Sequence, residues 1–266
     1  MNKERSIAGL DCELPVTEGK LDLWRELFWP ADWLQLRTSS VYRGRNLALG
    51  DGRPVVLVPG FLASDASMLE MHRWLKRVGY DARLSRTGRN ADCPDVLLEI
   101  LEERVVSVAE ETGRSVTLIG HSLGGIMARA LAVKRPEIVS QVITLGSPVR
   151  PGEVHPLVLS LMRAIARTKP LPEDSPRAHE DHYHCGTCSC ALAEALNEPF
   201  PADVPRASIY SRRDGVIDWR SAVDDTPGVN VAVNSTHVGM TVSSEVYEAV
   251  ADLLASASEI NYPMAA

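Results

Sequence analysis

The chain has 266 residues, 45% hydrophobic and 24% charged, which is enough for one sizeable domain with a buried sheet. A formal net charge of −7 supplies no general basic face for displacing counterions, so nucleic acid is not an expected partner. No stretch approaches the roughly 20 apolar residues of a membrane span, and the charge-studded residues 1–20 are unlike a secretory leader, so the expected location is cytoplasmic.

Residues 1–50 read as an N-terminal helical extension. Within it, residues 21–37 (LDLWRELFWPADWLQLR) predict a helix interrupted near Pro30, with Trp24, Phe28, Trp29 and Trp33 recurring at helical spacing. Such a stripe either packs the helix on the domain or leaves an aromatic face for peripheral lipid contact or a lid, since tryptophan suits apolar–polar boundaries.

Residues 51–266 alternate strand and helix, the pattern of a parallel sheet with helices on both faces. PVVLV (54–58) is a wholly apolar run stopped by Pro59-Gly60. A helix follows over 65–78 with Ser64 or Asp65 as cap, then a weaker strand over 80–85. A helix over 95–112 ends at Gly113, SVTLIG (115–120) is a strand, and 123–135 a helix stopped by Pro136. QVITLG (141–146), RASIYS (206–211) and VNVAV (229–233) complete a mainly parallel sheet of about six strands. Between the fourth and fifth lies a long excursion with helices expected at 156–168 and near 190–197. It reads as a cap or lid-like insertion at about 150–203, expected to wall an apolar acyl pocket together with Trp29 and Trp33.

Gly120-His121-Ser122-Leu123-Gly124 carries the chemistry, because a strand precedes it and a helix follows it. A sharp strand-to-helix turn pushes a serine into a strained, exposed position, and the flanking glycines remove side chains that would collide there. Ser122 is therefore the expected nucleophile. An oxyanion hole needs two backbone donors. The Leu123 N–H is one, and the other belongs to the loop after the first strand, at Phe61 or, if that loop winds differently, Leu62. Leu62 and Met240 are candidate substrate-binding residues.

Of seven histidines, His237 directly follows the last strand, at the sheet edge where an open α/β fold places its chemistry, and is the expected base. His121 adjoins the nucleophile, but the turn directs consecutive side chains apart, so it reads as packing. Asp214 and Asp218, both after the fifth strand, qualify as the acid. The chain order serine, aspartate, histidine is neither of the two serine-protease orders.

VVLVPGF (55–61), GHSLGG (120–125), TLGSP (144–148), IYSRRDGVID (209–218) and THVGM (236–240) together resemble the α/β-hydrolase superfamily, in its bacterial lipase and esterase branch, over roughly residues 54–255. The resemblance implies cofactor-free hydrolysis of a small-molecule or lipid ester through an acyl-enzyme, with Ser122, Asp214 and His237 as nucleophile, acid and base. Val149-Arg150 after GSP departs from the lipase pattern and favours esterase over lipase. Local sequence agrees on the acid: Gly215 frees the turn after Asp214, Val216-Ile217 can anchor it, and Asp218 stands where it would cap the next helix.

The same acyl-enzyme could pass its acyl group to an alcohol or thiol, and a non-catalytic binding protein could retain the fold. His182, His184, Cys185, Cys188 and Cys190 crowd together with one CxxC spacing, but the second, distant ligand pair usual for zinc is missing. Free thiols are the expectation there, with a disulfide, one that could involve Cys93, or a structural metal as alternatives.

Overall fold

The computed structural model describes residues 22–45, 47–91, 94–149, 192, 195, 197–225 and 229–257. Six strands, β1 (Pro54–Val58), β2 (Asp81–Leu84), β3 (Val116–His121), β4 (Val139–Leu145), β5 (Arg206–Ser211) and β6 (Val229–Val233), form one sheet. Its order is β2-β1-β3-β4-β5-β6 and every pairing is parallel. The chain leaves β1 for β2 on one side and returns to β3 on the other, so the strand order reverses between β1 and β3. A crevice at the carboxyl ends of the strands opens at such a point.

The strand alternation dictates two cores. Val55, Leu57, Ile119, Ile143 and Leu145 face one side, under α2 (Leu69–Arg77) and α5 (Ser244–Ser256), with Trp74 and Tyr247 fully buried among them. Val56, Val58, Leu118 and Val142 face the other, under α3 (Pro94–Thr112) and α4 (Leu123–Lys134). A sheet covered on both faces makes a central strand such as β1 apolar throughout, as PVVLV reads, while β2 at the sheet edge carries Asp81 and Arg83.

The expected 65–78 helix divides into a 3-10 turn, Asp65–Met68, and α2. Neither proposed cap makes a capping bond there: Ser64 stands at the N-cap without one, and Asp65 instead accepts from Ser85 Oγ (2.9 Å) and Arg86 N (3.0 Å), tying the turn to the exit of β2.

The N-terminal segment departs further from expectation. A 3-10 turn, Leu23–Phe28, leads into α1 (Trp29–Thr38), and Pro30 falls in the first turn of α1, where its missing N–H costs nothing. The segment does pack on the domain, against α5 and a 3-10 turn at Val238–Val242, but the aromatic stripe is not the packing face. Leu36 alone is buried, while Trp24, Leu27, Phe28, Trp29, Trp33 and Leu34 remain exposed. Among the described residues no helix is long and apolar enough to cross a membrane. Most of the 150–203 insertion, including the 156–168 helix and the His182–Cys190 cluster, and Cys93 as well, lie outside the described residues; Leu192, Ala195 and Asn197 are helical.

One polar cluster ties α4 to β5. Asp224 accepts from Arg129 Nη1 (2.7 Å) and Arg206 Nε (2.9 Å), and both guanidinium groups lie over the Phe200 ring. All three charged side chains are largely buried. Asp224→Ala is expected to cost about 3 kcal/mol, because it removes the carboxylate that two largely buried cations share. Chemical denaturation of the variant and of the wild type measures this directly.

Candidate active site

The elbow is built from close approach. Ser122 has φ 52° and ψ −120°, a backbone region that side chains rarely occupy, between the end of β3 and the start of α4. A Cβ at Gly120 would overlap the Gly124 carbonyl, and one at Gly124 would overlap the carbonyls of Val58 and Pro59, so both positions need glycine. The Ser122 N–H donates to the Leu145 carbonyl (2.9 Å), which ties the strained residue to the end of β4. Ser122 is partly exposed, whereas Gly120, His121, Leu123 and Gly124 are buried. Leu123 opens α4, so its N–H has no carbonyl four residues back to bind.

Beside the elbow runs the loop after β1. Gly60 is needed there for space rather than for turning: its φ is not positive, and a Cβ would come within 2.9 Å of His121 Nδ1 and 3.2 Å of Ser122 Cβ. The positive φ falls instead on Leu62, at 60°. The Leu62 N–H donates to the Asn90 carbonyl (2.9 Å) and is thereby engaged within the loop. Asn90 also donates from its own N–H to Ala63 O (2.9 Å) and from Nδ2 to Pro59 O (2.7 Å). This buried residue thus pins the loop at three points, a role that nothing in its local sequence signals.

The acid and base loops meet in the interior. The His237 Nδ1–H donates to Asp214 Oδ2 at 2.6 Å, with both side chains almost wholly buried. Asp214 Oδ1 accepts from the N–H groups of Val216 (2.8 Å) and Ile217 (2.9 Å), which locks the carboxylate plane. Asp218 instead accepts from Arg220 N (3.0 Å) as the N-cap of a 3-10 turn, Trp219–Ala222, and so has the expected capping role. Gly215 does not supply a positive φ, contrary to the expectation that it frees the turn; it leaves room for Glu26. Met240 is also a correction: it is fully buried in the core with its sulfur against Gly146, a packing residue with no surface for substrate.

Two neighbours of His237 escaped sequence reasoning. His121 lies with its ring 4.8 Å from that of His237, and its Nε2 is 2.9 Å from the His237 carbonyl oxygen. A carbonyl only accepts, so that nitrogen carries the proton. Glu26, from the N-terminal turn, accepts from the His237 N–H (3.0 Å) and the Val238 N–H (2.8 Å). An acid set between Trp24 and Phe28 in an aromatic run was the signal available for it.

Electrostatics divides the two histidines. Burial opposes a charged His237, but the Asp214 charge and hydrogen bond, with the Glu26 charge, outweigh it and raise the imidazole above its ordinary value. Burial, reinforced by the His237 charge, pushes His121 down to about 3 despite its bond to the His237 carbonyl.

A doubly wound parallel sheet with a strained serine after β3, and an aspartate–histidine pair after β5 and β6, is the architecture of the α/β-hydrolases. The chain has that fold. Residues 91–168 match the PGAP1-like alpha/beta domain, which is less than a third of the chain. Triacylglycerol lipases of Pseudarthrobacter phenanthrenivorans and Burkholderia plantarii are each 33% identical over 120 residues, 41% of this chain and 37% and 33% of theirs. The alignments thus span about a third of either lipase. Among solved structures, a mature Bacillus licheniformis lipase is similar at 15% identity and a TM-score of 0.56, over 79% of this chain and 94% of that one. A metagenome-derived lipolytic enzyme is similar at 18% identity and a TM-score of 0.58, over 80% and 96%. At such identities the structural likeness speaks for the fold.

Ring-nitrogen NMR should find His237 protonating with a midpoint above 6.5, while His121 stays neutral through the range in which the protein remains folded. Asp214→Asn should move the His237 midpoint down, because burial then acts without its carboxylate counterweight.

Proposed function

We propose that the protein hydrolyses carboxylic esters through an acyl-enzyme on Ser122. The observation that carries this reading is a strained serine at the sheet's switch point in the same molecule as a buried, 2.6 Å Asp214–His237 pair. In the proposed reaction, His237 Nε2 takes the hydroxyl proton as Ser122 Oγ attacks the ester carbonyl. Asp214 keeps the proton of the neutral ring on Nδ1 and stabilises the imidazolium that forms. The N–H groups of Phe61 and Leu123 receive the oxyanion, and the engagement of the Leu62 N–H by Asn90 favours Phe61 over its neighbour. The protonated His237 gives its proton to the departing alcohol. Water, deprotonated by the same ring, then attacks the acyl-serine and releases the acid. The raised affinity of His237 for a proton suits a base that must hold one transiently between these steps.

The substrate class proposed is an ester met at an apolar surface. The sequence likeness to triacylglycerol lipases supports this, as does the outward face of the N-terminal segment. Leu27 is 77% exposed and Leu34 62%, with Trp24, Phe28, Trp29 and Trp33 around them, a concentration suited to peripheral contact with lipid.

Ser122→Ala should lower kcat on a carboxylic ester about 10⁴- to 10⁶-fold with folding intact, and near-normal activity in that variant would refute the nucleophile. Asp214→Asn should lose about 10²- to 10⁴-fold in kcat, whereas Asp218→Asn should cost about 1 kcal/mol of stability as a lost cap. A panel of esters of graded acyl length, with circular dichroism on each variant, reads both. Leu27→Asp combined with Phe28→Asp should weaken partition onto phosphatidylcholine vesicles roughly tenfold or more, measured by co-sedimentation; equal partition would remove the lipid contact.

A further inference from the structure

The 3-10 turn Leu23–Phe28 has an inverted polarity. Its large apolar side chains face solvent, and its acid faces the protein. Glu26 Oε1 accepts from the Gly215 N–H (2.9 Å) and the His237 N–H (3.0 Å), and Oε2 accepts from the Val238 N–H (2.8 Å). One carboxylate therefore holds three backbone donors from two loops far apart in sequence. One donor belongs to His237 itself, and another to the residue after Asp214.

We propose that Glu26 is a positioning residue, clamping the acid loop and the base loop together so that the Asp214–His237 pair keeps its geometry. The proposal rests on the assignment of that pair as acid and base.

The chemistry of the clamp favours a charged acceptor. The donors at His237 and Val238 open the 3-10 turn Val238–Val242, where the chain offers no carbonyl of its own, and bonds from an N–H to a carboxylate are about twice as strong as neutral ones. The fit is tight on the protein side as well. A Cβ at Gly215 would lie 2.5 Å from the Asp22 carbonyl oxygen and 3.0 Å from Glu26 Oε1. A second carboxylate from the same segment acts alongside: Asp32 Oδ2 accepts from Ser235 Oγ (3.0 Å) and Thr236 N (3.4 Å), just upstream of His237, and a Cβ at Gly239 would overlap it. The N-terminal segment thus reaches the base loop at Ser235, Thr236, His237 and Val238, and the acid loop at Gly215.

Glu26 also adds negative charge beside the imidazole. Among the described residues, the groups facing His237 are Asp214 from the loop after β5, His121 from the end of β3 and Glu26 from the N-terminal turn. Asp32 bonds one residue upstream, and Arg213 lies outside, bonded to Asn234. His121 is neutral, so the charged groups in direct contact are the two carboxylates.

Glu26→Gln is the test, since it keeps the side-chain shape but removes the charge and turns an amide N–H₂ toward at least one donor. Three results are expected in the folded variant. The His237 midpoint, read by ring-nitrogen NMR, falls below that of the wild type. The rate at which a fluorophosphonate labels Ser122 falls roughly 10- to 100-fold. The loss in ester hydrolysis of similar size appears in kcat rather than KM. Arg25→Ala, on the same turn and paired with Asp22 among the described residues, should change none of these. Should Glu26→Gln unfold, Glu26→Asp retains the charge on a shorter stem; it should keep the midpoint closer to wild type than the labelling rate. An unchanged His237 midpoint and labelling rate in folded Glu26→Gln would overturn the clamp. If wild type itself shows no labelling dependent on Ser122, the hydrolase reading fails instead, and the His237 midpoint still reports on the clamp.

Discussion

The approach of α4 to the carboxyl ends of β1 and β3 is the steric constraint around which the site is arranged. With Gly124 resting on the carbonyls of Val58 and Pro59, and Gly120 under the Gly124 carbonyl, the chain turns from strand to helix with no side chain between them. The turn places Ser122 in its strained conformation, and the helix opens with the Leu123 N–H beside it. The same closeness brings the loop after β1 against the elbow, with Gly60 on His121. Parallel pairing of Val58 with Gly120 sets both loops at one level, at the point where the strand order reverses. Strain at Ser122 costs of order 1–3 kcal/mol and persists because the two buried cores over-determine the backbone around it.

A second constraint is electrostatic. A buried aspartate–histidine pair is tolerated only if its remaining polar atoms are matched, and Asp214 meets this with two backbone donors on Oδ1. The histidine side is matched through its backbone, whose N–H meets Glu26 and whose carbonyl meets His121. His121 is therefore more than the packing residue its position in the elbow suggested. Neutral and fully enclosed, it donates to the base loop without adding a competing charge. Both neighbours bond the main chain of His237 rather than its ring.

The N-terminal segment shows how an apolar pattern can mislead. Helical spacing of Trp24, Phe28, Trp29 and Trp33 is a sound signal for a helix but does not say which face is turned inward. Here the inward face carries the carboxylates: Glu26 accepts from the backbone donors at Gly215, His237 and Val238, Asp32 accepts from Ser235 and Thr236, and the aromatics are left outside. The value of those carboxylates depends on loops about two hundred residues away, and a local pattern carries no record of that distance.

The sequence by itself determined where the strands lie, because a sheet buried on both faces favours short runs rich in apolar residues, and PVVLV, RASIYS and VNVAV lie where those runs predict. It also determined the elbow, since glycine spacing around a serine between strand and helix follows from local sterics, and it separated Asp214 from Asp218 through the anchoring pair Val216-Ile217 and the cap beyond. Tertiary structure alone decided the rest. It chose the order β2-β1-β3-β4-β5-β6, the positive φ at Leu62 instead of Gly60, the burial of Met240, the pinning of the β1 loop by Asn90 and the reach of Glu26 to the base loop. Each of these is settled by which backbone groups lack partners once distant segments have packed. That demand arises only in the folded chain, where water is excluded and every buried donor must find its acceptor.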